Sequence, residues 1–154
     1  GETKKDETAS AAPVAPAAGE MPEAIVAMIG DADVAKGKSV AKVCGSCHTL
    51  DKGGRDGMGP NLWNVMTRGR AKKDGFSYSD AMTAKGGNWT YADLNHFLWK
   101  PKKFIADTRM NFVGIKNPQD RAALIAYLRT LADTPPAKPS DADIADEKKN
   151  LGGN

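Results

Sequence analysis

Two cysteines and two histidines are all that the 154 residues hold of each. That scarcity, together with their order and spacing, excludes a structural zinc site with four ligands of the Cys2His2 kind. No apolar run approaches the length of a membrane-spanning helix, and no signal-peptide pattern is present. Strand-like alternation of useful length is missing, as is any internal repeat, which points away from sheet folds and solenoids. No basic strip interleaved with aromatics argues for nucleic-acid binding. Hydrophobic content of 40% is low for a packed domain of this length, so part of the chain is expected to stay unpacked.

Charge divides the chain in three. Residues 31–132 carry 17 Lys and Arg against 9 Asp and Glu, whereas residues 1–30 carry 2 against 5 and residues 133–154 carry 3 against 5. A basic centre between acidic ends suits an acidic partner surface and an association that weakens with salt. The N-terminal part is Ala/Pro-rich from Ala9 to Pro22 and reads as an extended linker, with Glu23 to Ile29 as a short apolar turn or packing segment. Since the chain starts Gly1-Glu2-Thr3 without Met, a processed or shortened chain is expected.

Within the centre the pattern is helical. Asp31 or Asp33 caps a first helix to about Val43, with Gly37 on it where close approach of another helix would explain a glycine. Glycines and Pro60 make residues 49–61 a loop, followed by a short apolar stretch, Leu62 to Met66, and a basic loop over 67–75. Ser77 is placed to cap a short helix from Tyr78 to Ala84. Thr90 opens a helix whose stripe is Leu94, Phe97 and Leu98 and which Pro101 stops. After a second loop over 101–118, Pro118 opens a helix to about Ala132 with Leu124, Leu128 and Leu131 on one face. The Pro-rich, acidic C-terminal tail has room for a marginal helix at Asp141 to Lys149.

The stretch around which these helices are arranged is Cys44-Gly45-Ser46-Cys47-His48. Two thiols three positions apart, with a histidine directly after the second, form the attachment pattern of a c-type haem. On one turn both sulfurs face the same side, each able to form a thioether with a vinyl group. His48 then comes up under the iron as the proximal ligand. A thioredoxin-type redox pair would need a βαβ context, and a plain disulfide would leave His48 without a role.

A second axial ligand decides what such an iron does. Met58, Met66, Met82, Met110 and His96 are the candidates. Met58 follows His48 too closely to cross the haem, Met66 and Met82 lie in apolar stretches, and His96 sits on a helix near Trp99. Met110, in the loop Thr108-Arg109-Met110-Asn111-Phe112, is the one best placed to cross the far face. A soft thioether favours Fe(II), and with both axial sites filled the haem becomes an electron carrier.

Taken together, these blocks resemble a class I c-type cytochrome of the mitochondrial and alphaproteobacterial type. The likeness spans about residues 31–132. It rests on the Cys44–His48 motif, Gly59-Pro60-Asn61-Leu62, Phe76-Ser77-Tyr78-Ser79-Asp80-Ala81, Gly87-Asn88-Trp89, Pro101-Lys102-Lys103, Thr108-Arg109-Met110 with Phe112, and Arg121 to Leu128. The resemblance implies an all-α fold packed around one haem c held through Cys44 and Cys47, with His48 and Met110 as its iron ligands; the tails beyond it, expected from their composition to be flexible, have no counterpart in the soluble carriers. It further implies a Pro60 carbonyl on the His48 ring, and haem propionates held by Arg68, Tyr78, Trp89 and Thr108. Phe112 would shield the methionine side, and Gly37 would lie where the first and last helices cross. An aromatic usual at that crossing is absent, with Val40 or Ala41 in its place.

The function implied is one-electron transfer from a cytochrome bc1 complex to a haem-copper oxidase, steered by a basic face with Lys42, Lys102, Lys103 and Lys116. The acidic N-terminal linker is similar to that of membrane-anchored cytochromes c552, implying a periplasmic haem domain on a membrane tether. A haem enzyme or gas sensor with an open iron, and a cytochrome domain docked permanently in a larger respiratory complex, are the alternatives.

Overall fold

A computed structural model describes residues 21–152, and among these every regular element is helical. In chain order they are α1 (Val26–Ile29), α2 (Val34–Val40) running into a 3₁₀ turn (Ala41–Ser46), α3 (Asp80–Lys85), α4 (Tyr91–Trp99), α5 (Pro101–Phe104), α6 (Pro118–Thr130) and α7 (Asp141–Asn150). Short polar residues set the starts. Asp33, Ser79, Thr90, Asn117 and Ser140 each accept a backbone N–H from the third residue on, which satisfies a donor that the helix itself leaves unpaired.

Packing centres on α2, α4 and α6. Leu94, Phe97 and Leu98 of α4 are buried, as are Leu124, Ile125 and Leu128 of α6. Where α2 meets α6, a Cβ on Gly37 would run into the Ala123 carbonyl, so the backbones touch through a position only glycine can fill. Ala41, fully buried, and Val40, partly buried, take the remaining space at this crossing.

Several boundaries differ from the expectation. The first helix ends at Val40, and the chain to Ser46 tightens into 3₁₀ geometry. Ser79 rather than Ser77 caps α3, because its hydroxyl reaches Met82 N at 3.1 Å. Pro101 both stops α4 and begins α5, since its fixed φ and missing N–H suit the first helical position.

The ends resolve what the sequence left open. Of the linker over 1–30 and the tail over 133–154, the stretch Glu23 to Ile29 takes the packing alternative, and the helix for which the tail had room also joins the packed body. Pro22, Ile25, Val26 and Ile29 are buried, because a short apolar run inside a polar, alanine-rich segment has enough surface to join the core. Downstream, α7 closes over α1 and α4, and Glu147 on its inner face is 3% exposed. Residues 1–20 lie outside the described residues, and with them most of the expected tether.

Glu147 explains how a charged helix docks there. Its carboxylate accepts from Ile25 N at 3.0 Å, Val26 N at 3.1 Å and Asn95 Nδ2 at 2.9 Å. α1 has no side-chain cap of its own, so α7 supplies one from across the molecule. Arg121, wholly buried, extends the network through Asn95 Oδ1 at 2.6 Å and Glu23 Oε1 at 2.9 Å.

Candidate haem site

The 3₁₀ turn at the end of α2 brings the motif together. Cys47 N and His48 N both donate to Cys44 O, at 3.1 and 2.9 Å, which winds the two thiols and the imidazole onto one turn. Cys44 is half-buried and Cys47 exposed, and the two sulfurs are not bonded to each other. Burial, helped by the neighbouring Cys47, pushes the Cys44 thiol up.

His48 Nδ1 lies 2.7 Å from Pro60 O. A carbonyl can only accept, so this contact places the proton on Nδ1 and leaves the Nε2 lone pair available to a metal. Burial lowers the imidazole pKa, the Pro60 contact raises it, and nearby Arg68 lowers it further; the net direction is down, toward the neutral ligand form. The loop that delivers Pro60 is itself knitted. Gly59 N donates to Cys47 O at 2.8 Å, Asn61 N to Asp56 Oδ1 at 2.8 Å, and buried Asn61 donates to Thr49 Oγ1 and Asp51 O, each at 2.9 Å. Gly59 is pressed against the His48 ring so closely that a Cβ would collide with it.

Other residues singled out from the sequence fall in two groups. Arg68 Nη1 donates to Asn61 O at 2.7 Å and Trp63 O at 2.9 Å, and its guanidinium also reaches Tyr78, whose hydroxyl accepts from Lys73 N at 3.2 Å. Trp89 is half-buried and tilted against Phe97 at 5.0 Å between ring centres. Thr108 is buried, and its hydroxyl accepts from Met110 N at 3.2 Å, which sets the backbone of the methionine loop. Met110 is half-buried against the core, and Phe112, also half-buried, follows two residues on.

Of the competing ligand candidates, Met58 is 83% exposed. Met66 and Met82 pack against the hydrophobic core as Met110 does, so core packing does not separate the three. His96 lies tilted against Phe104 at 5.3 Å and Trp99 at 5.9 Å. One residue escaped the sequence reading: Arg70, 3% exposed, paired with Asp93 Oδ2 at 2.8 Å and stacked 4.4 Å over the Trp89 ring. Only its place two residues after Arg68 and before the Gly87-Asn88-Trp89 block hinted at a role.

These donors fit a covalently held haem. Two unbonded thiols three residues apart suit two vinyl groups, and a neutral imidazole with its far nitrogen free suits an iron. No group of three or more His, Cys, Asp or Glu side chains among the described residues is arranged to hold a bare metal ion.

Comparison with known proteins gives the same answer independently. The family model described as cytochrome c matches residues 34–132. A cytochrome c homolog of Bradyrhizobium diazoefficiens is 45% identical over 125 residues, covering 80% of this chain and 68% of that protein. A cytochrome c homolog of Rickettsia bellii is 40% identical over 111 residues, 72% of this chain and 64% of that protein. Cytochrome c2 of Rhodomicrobium vannielii is 44% identical over 98 residues, 64% of this chain and 78% of that protein. With a helical body, a Cys44–Cys47–His48 turn and these relatives, the chain belongs to the cytochrome c family and carries a covalent haem c.

Proposed function

We propose that this protein is a one-electron carrier whose iron is held by His48 and Met110. The observation that carries the reading is the His48–Pro60 contact, which fixes the ring tautomer and presents Nε2 as a ready neutral donor. Met110 belongs to a loop whose backbone is set by buried Thr108, so its thioether is offered from an ordered segment. When bound, the haem supplies the Fe(III)/Fe(II) couple. Two protein ligands leave no axial position for substrate or O2, so the protein accepts and passes single electrons and is no enzyme. In the same reading Arg68, Tyr78, Trp89 and Thr108 hold the haem carboxylates and Phe112 keeps water from the methionine side.

The electron donor we assign is a cytochrome bc1 complex and the acceptor a haem-copper oxidase, on the periplasmic side of a bacterial inner membrane, with the N-terminal segment as tether. Support comes from the basic centre and from the exposure of Lys42, Lys102, Lys103 and Lys116. Lys102 also donates to Thr108 O at 3.4 Å, so it joins the basic face to the methionine loop.

Optical spectra of the holoprotein, with and without carbon monoxide, test the ligand assignment. The expected result is the far-red charge-transfer band of thioether-ligated ferric haem, lost in Met110→Ala, and no carbon monoxide binding by the reduced wild type. Ready binding with no such band would replace the carrier by a haem enzyme or gas sensor.

A further inference from the structure

We propose that Arg70 is a positioning residue for Trp89, a role that rests on the reading of Trp89 as a haem-carboxylate ligand. Arg70 grips three consecutive residues. Its backbone N donates to Gly87 O at 2.7 Å, its Nη2 donates to Asn88 O at 2.5 Å, and its guanidinium carbon lies over the Trp89 ring, 4.4 Å from the centroid. Asp93, in the first turn of α4, accepts from the same Nη2 at 2.8 Å, and the guanidinium carbon lies 5.5 Å from the Phe104 ring centroid. The indole thus has Arg70, Phe97 and Phe104 as ring neighbours, contacts that restrict its rotation.

A buried guanidinium is an expensive way to fill space. Arg70 Nε is buried without a hydrogen-bond partner, and among the described residues it is the one side-chain atom in that condition. An apolar side chain would avoid that penalty, so what Arg70 contributes is a planar stack and a fixed positive charge. If Trp89 holds a haem carboxylate, a positive charge over its ring would favour the added electron of the reduced state.

The test uses the holoprotein with Arg70→Met and Arg70→Lys, and reads the hydrogen exchange of the Trp89 indole N–H together with the midpoint potential. Trp89→Phe identifies the resonance. In the wild type the Trp89 N–H is expected to be strongly protected, whereas that of Trp63, bonded to exposed Asp133, exchanges faster. In Arg70→Met, exchange at Trp89 is expected to accelerate roughly tenfold, and the reduced-to-oxidised ratio at fixed applied potential to fall roughly threefold or more. Arg70→Lys keeps the charge without the planar stack, so accelerated exchange with a near-normal potential supports the proposal. Should Arg70→Met fail to fold, Arg70→Lys decides: wild-type exchange in it overturns the stacking role. Unchanged exchange and potential in Arg70→Met, with only a lower melting temperature, overturns the proposal as a whole. An unprotected Trp89 N–H in the wild type instead overturns the carboxylate reading on which it rests.

Discussion

Gly59 shows how narrow the tolerances are around His48. Its missing side chain is what lets the imidazole lie against the loop while Nδ1 reaches Pro60 O. A single methyl at this position cannot fit without moving the ring, and moving the ring breaks the contact that holds its tautomer. Gly59→Ala is therefore expected to lower the yield of haem-loaded protein and to shift the spectrum of whatever forms, while Gly45→Ala, with open space around it, leaves both unchanged. Absorbance per mole of purified protein reads the difference. His48 and the two cysteines were legible from spacing alone. Arg70 was not, because nothing in a run of basic residues distinguishes the arginine that turns inward from those that stay in water.

Two junctions between helices each rest on a contact that can be broken singly. At the α2–α6 crossing, Gly37→Ala would push a methyl into the Ala123 carbonyl, and the helices would have to separate. The expected cost is about 1–3 kcal/mol in denaturant-induced unfolding. At the other end, Glu147→Ala would strip the cap from α1 and leave Ile25 N, Val26 N and part of Asn95 buried without acceptors. We expect a loss of about 2–4 kcal/mol. The helices in the centre could be read from caps and periodicity, as Thr90, Pro118 and the Leu94–Leu98 stripe show. The docking of α7 could not. Its sequence is mostly polar, and beside partly buried Ile144 one inward carboxylate carries the attachment; a single isoleucine makes no hydrophobic pattern that would announce it.

At the scale of the whole molecule, the same carboxylate contributes a pH dependence of stability opposite in sign to that of Asp56 and Asp133, whose carboxyls hydrogen bonds hold below the usual range. Burial raises the Glu147 pKa above its ordinary 4.5, against the pull of its hydrogen bonds and of Arg121. Between 4.5 and that raised value the folded protein holds more protons at this site than the unfolded chain. The Glu147 contribution is therefore fully present below 4.5 and is lost as pH rises through the folded pKa. Glu147→Gln removes the titration, so the stability difference between wild type and Glu147→Gln is expected to move against the wild type as pH rises through this window. Urea midpoints measured across it check the sign. The basic centre sets a second dependence at this scale. Electron transfer to an acidic partner should slow steeply with added salt, and Lys42→Glu should slow the second-order rate several-fold at low ionic strength.

The stitching of the chain's two ends also has a mechanical meaning. A pull applied at residue 21 reaches Glu23 and α1 first, where Arg121, Asn95 and Glu147 bind the segment to α6, α4 and α7. The strain is taken up there, by helices, before it can reach the separate segments that carry Cys44, His48, Pro60 and Met110. On the proposed reading of the N-terminal segment as a tether, these two packed segments would act as a strain relief and leave the haem site undisturbed.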